Sequence, residues 1–155
     1  QESVRIELNS RVRQALESYH LGIRVTVVHN ENWHLGSAHS LIAASGWIED
    51  QAILVPSDHM YPPSLVRRII HYPVSADSVL LAVDRRRGEV FDEEECIKVR
   101  LKGDQVVDLG TDLDEADGVC PGIVRISAQL VELLRRLVHD VDIDLLDALR
   151  AMARP

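Results

Sequence analysis

The sequence predicts an α/β fold: a Rossmann-like, mostly parallel sheet with helices on both faces and an antiparallel hairpin insertion. Three observations predict it. Ile53-Leu54-Val55 and the run "SVLLAVD" (78–84) lack the in/out alternation of a half-solvated strand, which suits strands covered on both faces. Stretches of helical periodicity separate these runs, and strand–helix alternation favours a mainly parallel sheet. The stretch "ECIKVRLKGDQVVDLG" does alternate and breaks at Lys102-Gly103-Asp104, the pattern of a hairpin.

Taken in order, Asn9-Ser10 can cap a helix reaching about Tyr19, with Val12, Ala15, Leu16 and Tyr19 on one face. Residues 4–8 alternate and read equally as a short strand or an extra helical turn. Gly22 ends the helix, and "IRVTVVHN" continues as a strand over 23–29. "ENWHLGS" is a loop, with Ser37 as N-cap of a helix from Ala38 to Trp47. A central strand follows over 52–56, bounded by "SDHMYPP". Ser64 caps a helix, "SLVRRIIHY", that turns Leu65, Val66 and Ile69 inward. After the strand over 78–84 and the hairpin, "GVCPGIVRIS" reads as one further strand, and helices at about 127–139 and 143–153 finish the chain.

The totals set limits. With 155 residues and 46% hydrophobic content, the chain suits one globular domain with a sizeable core. A net charge of −8 disfavours a nucleic-acid-coating surface, because neutralising phosphates needs clustered Lys and Arg. It leaves room for a nucleotide held through a divalent cation. Cys96 and Cys120 form no CxxC and have no paired histidines, so they read as buried reduced thiols of a cytoplasmic protein. No apolar run has the length of a membrane span, and no signal-peptide pattern is present.

Ligands of open α/β sheets sit beyond the carboxyl ends of the strands, which is where Asp58 falls. A lone carboxylate there fits a Mg²⁺ ligand, since Mg²⁺ takes one or two carboxylates together with phosphate oxygens and water. It equally fits a turn aspartate before Pro62-Pro63. His59 reads as an acid/base group or a packed turn residue, and His39 as a helix residue. Gly36-Ser37-Ala38, between strand and helix, can approach a ribose or base, although it is neither GxGxxG nor GxxxxGK[ST]. Arg85-Arg86-Arg87 reads as a phosphate contact or as a solvated basic turn paired with "FDEEE".

Three stretches carry a resemblance: "VVHNENWHLGSAHSLIAA", "AILVPSDHMYPPSLV" and the block from Leu80 to Ser127. In this order they resemble the sugar-phosphate nucleotidyltransferase superfamily, most closely its inositol-phosphate cytidylyltransferase branch. The resemblance covers about residues 22–126 and rests on the S-D-H element and the block from 80 to 122 taken together. It implies a nucleotide-diphospho-sugar transferase-like fold, in one domain incomplete at both ends. It also implies Mg²⁺-dependent transfer of a nucleotidyl group from an NTP, with CTP favoured, to a sugar- or polyol-phosphate, releasing pyrophosphate. By position, Asp58 matches the catalytic aspartate that holds Mg²⁺. Gly36, Ser37 and Ser40 match the nucleotide-binding loop and helix start, and Asp117 and Gly122 the substrate-phosphate edge. The resemblance leaves oligomeric state open, and with it any fused or partner membrane enzyme.

The departures are specific. The family's L-A-A-G-x-G-x-R loop has no match in residues 1–21. Thr111 replaces the lysine of its "G-K", and Ser37-Ala38 replaces an Asn-Gly. The family's W-x-D-V-D element has a superficial counterpart in Asp140-Val141-Asp142, which reads better as part of the preceding helix. Two readings follow: an active nucleotidyltransferase, or a catalytically degenerate relative with a binding or regulatory role.

Overall fold

The computed structural model describes residues 11, 13–16, 18, 25–86, 96–138 and 144–153. Residues 11, 13–16 and 18 are helical, and residues 25–30 hold no regular secondary structure. Beyond them run α1 (Ser37–Ala44), β1 (Gln51–Leu54), α2 (Pro63–His71), β2 (Leu80–Leu81), β3 (Ile97–Lys102) and β4 (Gln105–Gly110). The chain closes with β5 (Gly118–Cys120), β6 (Val124–Ser127), α3 (Ala128–Leu137) and α4 (Leu145–Ala153). The expected features at residues 4–10, 22–24, 87 and 91–95, and the Asp140-Val141-Asp142 element, lie outside the described residues. Helix α3 itself ends at Leu137.

The expectation of a mostly parallel sheet is corrected. The strands form two three-stranded sheets, β1-β6-β2 and β4-β3-β5, and every described pairing is antiparallel. Strand β6 lies between β1 and β2 and runs against both. The two strands that share a direction are therefore not neighbours, a fact that apolar patterning cannot reveal. Strand β1 is consequently an edge strand among the described residues, with its first residue exposed and the rest half-buried. The predicted strand over 23–29 is absent from its described part, where Val25 and Val28 are exposed and no partner strand is in place.

"GVCPGIVRIS" is likewise two strands in two sheets. Pro121 has no N–H for a ladder, and Gly122 at φ +89° turns the chain between them. An isolated bridge from Asp84 to Val119 ties the sheets together. The hairpin is as its sequence predicts: Lys102 pairs with Gln105 across Gly103-Asp104, and Gly103 has φ +66°.

Helices cover both faces of the β1-β6-β2 sheet. Ala52, Leu54, Val124 and Ile126 pack into the main core with α1, α3, α4 and the hairpin. Ile53, Leu80, Ala82 and Ile123 pack on the other face against Leu65, Val66 and Ile69 of α2. Ile123, Ile126, Leu130 and Leu134 are almost fully buried, each burial contributing roughly 1.5–3 kcal/mol. Pro63 occupies the first turn of α2, where its missing N–H costs nothing.

Arg125, buried in β6, donates from Nη1 to the carbonyls of Ile69 and Ile70 (3.0 and 2.7 Å) and from Nη2 to Tyr72 (2.8 Å). A cation thus caps the negative end of α2 and satisfies carbonyls that the helix leaves over. Arg125→Leu is expected to lower stability by about 1–3 kcal/mol, because the buried Ile69 carbonyl loses its donor and those of Ile70 and Tyr72, part-buried, must turn to water. Urea unfolding followed by circular dichroism measures it.

Among the described residues no helix is long and apolar enough to cross a membrane.

Candidate active site

Because β1 and β2 both oppose β6, their carboxyl ends reach the same edge of the sheet, where β6 begins. That edge gathers Asp58 after β1, Asp84 after β2 and Pro121-Gly122 before β6. The chain leaves β1 through Pro56 and makes a turn closed by His59 N–H donating to the Pro56 carbonyl (3.5 Å). Asp58 sits in this turn with its side chain 81% exposed, and His59 Nδ1 lies 2.9 Å from its Oδ1. That hydrogen bond holds the Asp58 carboxyl below its usual pKa of 3.8, so it is ionised throughout the neutral range.

The turn is braced from the β5–β6 corner. Tyr61 stacks on the His59 ring (centroids 6.1 Å apart, 18° between planes), and its hydroxyl donates to the Pro121 carbonyl at 2.7 Å. Gly122 N–H donates to Cys120 Sγ at 3.3 Å. A Cβ on Gly122 would lie 2.9 Å from Pro56 Cγ and 3.2 Å from the Tyr61 hydroxyl. The sequence-predicted Asp58 and Gly122 are thus brought together, through Pro56 and Tyr61. Burial pushes the Cys120 thiol up to about 11, which makes it an inert acceptor at this corner. Asp84 is engaged by Arg86, whose Nη2 and Nε approach its two oxygens at 2.8 and 3.1 Å; this ion pair lowers the Asp84 pKa.

Asp117 stands elsewhere. Its N–H donates to the Val99 carbonyl at 2.9 Å and its Oδ2 accepts from Leu101 N–H at 2.7 Å. The β3–β5 ladder ends at Val99 and Gly118, and the carboxylate satisfies the next β3 amide on that side. Asp117 is exposed and four residues of chain separate it from Gly122.

The loop residues make a second cluster. Gly36, at φ +109°, is the N-cap of α1, so Ser37 is the first helical residue and not the cap that its type suggests. The Ser37 amide donates to Asp144 Oδ1 at 3.2 Å, and its hydroxyl bonds the same oxygen. Asp144 also accepts from Leu145 N–H (2.7 Å), and its own N–H reaches Asp147 Oδ2 (3.4 Å). The bond from the Asp144 amide to Asp147 is one half of a capping box at the start of α4, legible in the spacing Asp144-x-x-Asp147 but missed in the sequence reading. Ser40 Oγ accepts from Asn30 Nδ2 at 3.0 Å, while Asn30 Oδ1 accepts from Asn32 N–H at 2.9 Å. Asn30 was missed too; its signal is an Asx-turn aspargine opening a loop. Ser37→Ala is expected to cost about 1 kcal/mol, through loss of a charge-assisted but exposed bond between α1 and α4. Thermal melting measures it, as a fall of a few degrees.

Asp58 offers one ionised hard-oxygen donor on a braced turn, open to solvent. That fits a Mg²⁺ ion completing its shell with phosphate oxygens and water, and His59 supports the carboxylate from the side. No group of three or more His, Cys, Asp or Glu side chains suited to a metal occurs among the described residues. A cavity of about 840 Å³ lies along β2 and is not lined by Asp58.

Comparison with solved structures places this arrangement in a class. The inositol-1-phosphate CTP transferase from T. maritima superposes on 92% of the chain with a TM-score of 0.78 at 22% identity, covering 57% of that protein. A UDP-glucose pyrophosphorylase complexed with UDP-glucose matches 76% of the chain at a TM-score of 0.50 and 15% identity, covering 50% of that protein. The fold is that of the nucleotidyltransferases, Rossmann-like in its neighbours. Sequence narrows the class. The chain is 32% identical over 115 residues, 74% of its length, to the bifunctional IPC transferase and DIPP synthase of Rubrobacter xylanophilus. It is 25% identical over 135 residues, 86% of its length, to the protein of the same name from Archaeoglobus fulgidus. The chain is related in sequence to these two proteins and shares the fold of the CTP transferase. It spans about a quarter of their length, 25% and 26%. No protein-family model matches it.

Proposed function

We propose that the chain carries a nucleotidyl-transfer site, in which an NTP, CTP favoured, reacts with a sugar- or polyol-phosphate and pyrophosphate leaves. The observation that supports this best is the ionised Asp58, on a turn clamped by Tyr61 and Gly122 where β1 and β2 end together. In this reading Asp58 holds a Mg²⁺ ion, which when bound neutralises phosphate charge and orients the α-phosphate. The protein's own work is positioning. Asp58 fixes the metal side, and Gly36, Ser37 and Ser40 approach the base and ribose from the start of α1. Gly122 and Asp117 border the acceptor phosphate. An oxygen of the acceptor phosphate attacks the α-phosphorus, the bond to the β-phosphate oxygen breaks, and no protein nucleophile is needed.

Two observations favour the second reading, a binding or regulatory domain without turnover. Ser37 already spends its hydroxyl on Asp144, and Asp117 spends an oxygen on Leu101. The two readings part on pyrophosphate release from each NTP in Mg²⁺, with inositol, glycerol and hexose phosphates as acceptors. The first reading expects metal-dependent release, fastest with CTP. Nucleotide binding without release with any acceptor would select the second.

A further inference from the structure

We infer that Tyr61 is a positioning residue for the proposed transfer: its hydroxyl tethers the turn that carries Asp58 to the corner before β6, and so fixes where the carboxylate points. This role rests on the reading of that edge as a nucleotidyl-transfer site. Asp58 has little else to hold it. Its side chain is mostly exposed, and the backbone bond that closes its turn, His59 N–H to Pro56, is long at 3.5 Å and therefore weak.

What the backbone leaves loose, side chains hold. The ionised Asp58 carboxylate accepts from His59 Nδ1 at 2.9 Å, so the direction of that bond follows the plane of the imidazole. The other nitrogen of the His59 ring has no partner among the described residues. The ring is instead set by Tyr61, on which it stacks with 18° between planes. Met60, between the two, is almost fully exposed, while Tyr61 turns inward and packs on the cluster of Ile69, Ala82 and Ile123.

The far end of Tyr61 is anchored on a distant part of the chain. Its hydroxyl donates to the Pro121 carbonyl at 2.7 Å, across 60 residues of sequence. Burial holds the Tyr61 pKa above its usual 10.0, so the hydroxyl keeps the proton that it donates. Gly122 leaves the room, since a Cβ there would lie 3.2 Å from that oxygen. A rigid ring fixed at both ends thus joins Pro121 to His59 and, through His59, to Asp58. Misplacing a metal-holding group by about 1 Å can cost on the order of 10² in rate. A packing role needs the ring alone; a positioning role needs the hydroxyl as well.

Tyr61→Phe separates the two, because it keeps the ring and removes only the tether. The expected result, per folded molecule at saturating Mg²⁺, CTP and acceptor phosphate, is a kcat lower by about tenfold or more, with KM for CTP within about twofold of the wild type. The melting temperature should fall by a few degrees at most, about what one hydrogen bond is worth. A second readout does not use turnover. Nitrogen NMR of the His59 ring at about pH 9, above the usual imidazole range, should show the Nδ1–H tautomer in the wild type and a shift towards Nε2–H in Tyr61→Phe. A variant that turns over like the wild type, or one whose His59 nitrogens are unmoved, overturns the inference and leaves the transfer reading standing. A wild-type chain without turnover on any NTP overturns that reading, and the role of Tyr61 falls with it.

Discussion

Asp58→Asn is expected to abolish metal-dependent turnover while leaving the fold intact. Among the described residues the carboxylate has a single side-chain partner, His59, and its side chain is 81% exposed. Exposed substitutions of this kind change stability by about 0.5 kcal/mol or less, so the melting temperature should move by about two degrees at most. The neutral amide keeps the size and one acceptor but loses the charge that a cation needs. Removing a fixed electrostatic stabiliser costs on the order of 10²–10³ in turnover. Pyrophosphate release at saturating Mg²⁺ and CTP, set beside a thermal melt of the same sample, separates the two effects. Unchanged release, or a large loss of stability with it, would move Asp58 from the chemistry to the scaffold.

Gly122→Ala is the complementary case, in which stability and turnover should fall together. At φ +89° an alanine is strained, and its Cβ would meet Pro56 at 2.9 Å and the Tyr61 hydroxyl at 3.2 Å. Backbone strain of about 1–3 kcal/mol adds to overpacking of similar size, for a loss of about 2–4 kcal/mol. Relief comes from moving the turn that carries Asp58, which makes this a positioning effect. Urea unfolding gives the first quantity, and pyrophosphate release from the folded fraction gives the second. A variant that keeps its stability while losing only affinity for the acceptor phosphate would instead make Gly122 a direct substrate contact.

What the sequence made legible is local. The β3–β4 hairpin was readable because alternation and Gly103 specify both register and turn. Helices α1 to α4 were readable within a few residues from periodicity, although Ser64, read as the cap of α2, lies inside a helix that starts at Pro63. Strand neighbours were not, because an apolar run records burial on both faces and not the direction of the strand beside it. Hence β6, running against both β1 and β2, overturned the parallel sheet, and Pro121-Gly122 split a run that reads as one strand.

The site follows the same division. Asp58 could be placed at a strand's carboxyl end from the apolar run that stops before it. The long-range contacts that give the other residues their present partners could not. Ser37 carries a capping residue's signature, yet its partner Asp144 lies far along the chain and Gly36 takes the cap. Asp117 matches a motif, yet its carboxylate answers the Leu101 amide left over where the β3–β5 ladder ends, which depends on pairing between distant segments. Arg125 gave no signal at all, since an arginine in an apolar strand is explained only by the helix end it meets.

The central claim is that Asp58 presents a divalent cation to nucleotide phosphates at the edge where β1 and β2 end. The direct test is a crystal of this chain grown with Mn²⁺ and CTP, with the metal located by anomalous scattering. The account predicts a peak at coordination distance from an Asp58 oxygen, about 2.0–2.2 Å for a small octahedral ion, with triphosphate oxygens on its far side. A nucleotide bound with its metal on other residues, and Asp58 still pointing into solvent beside His59, would contradict it.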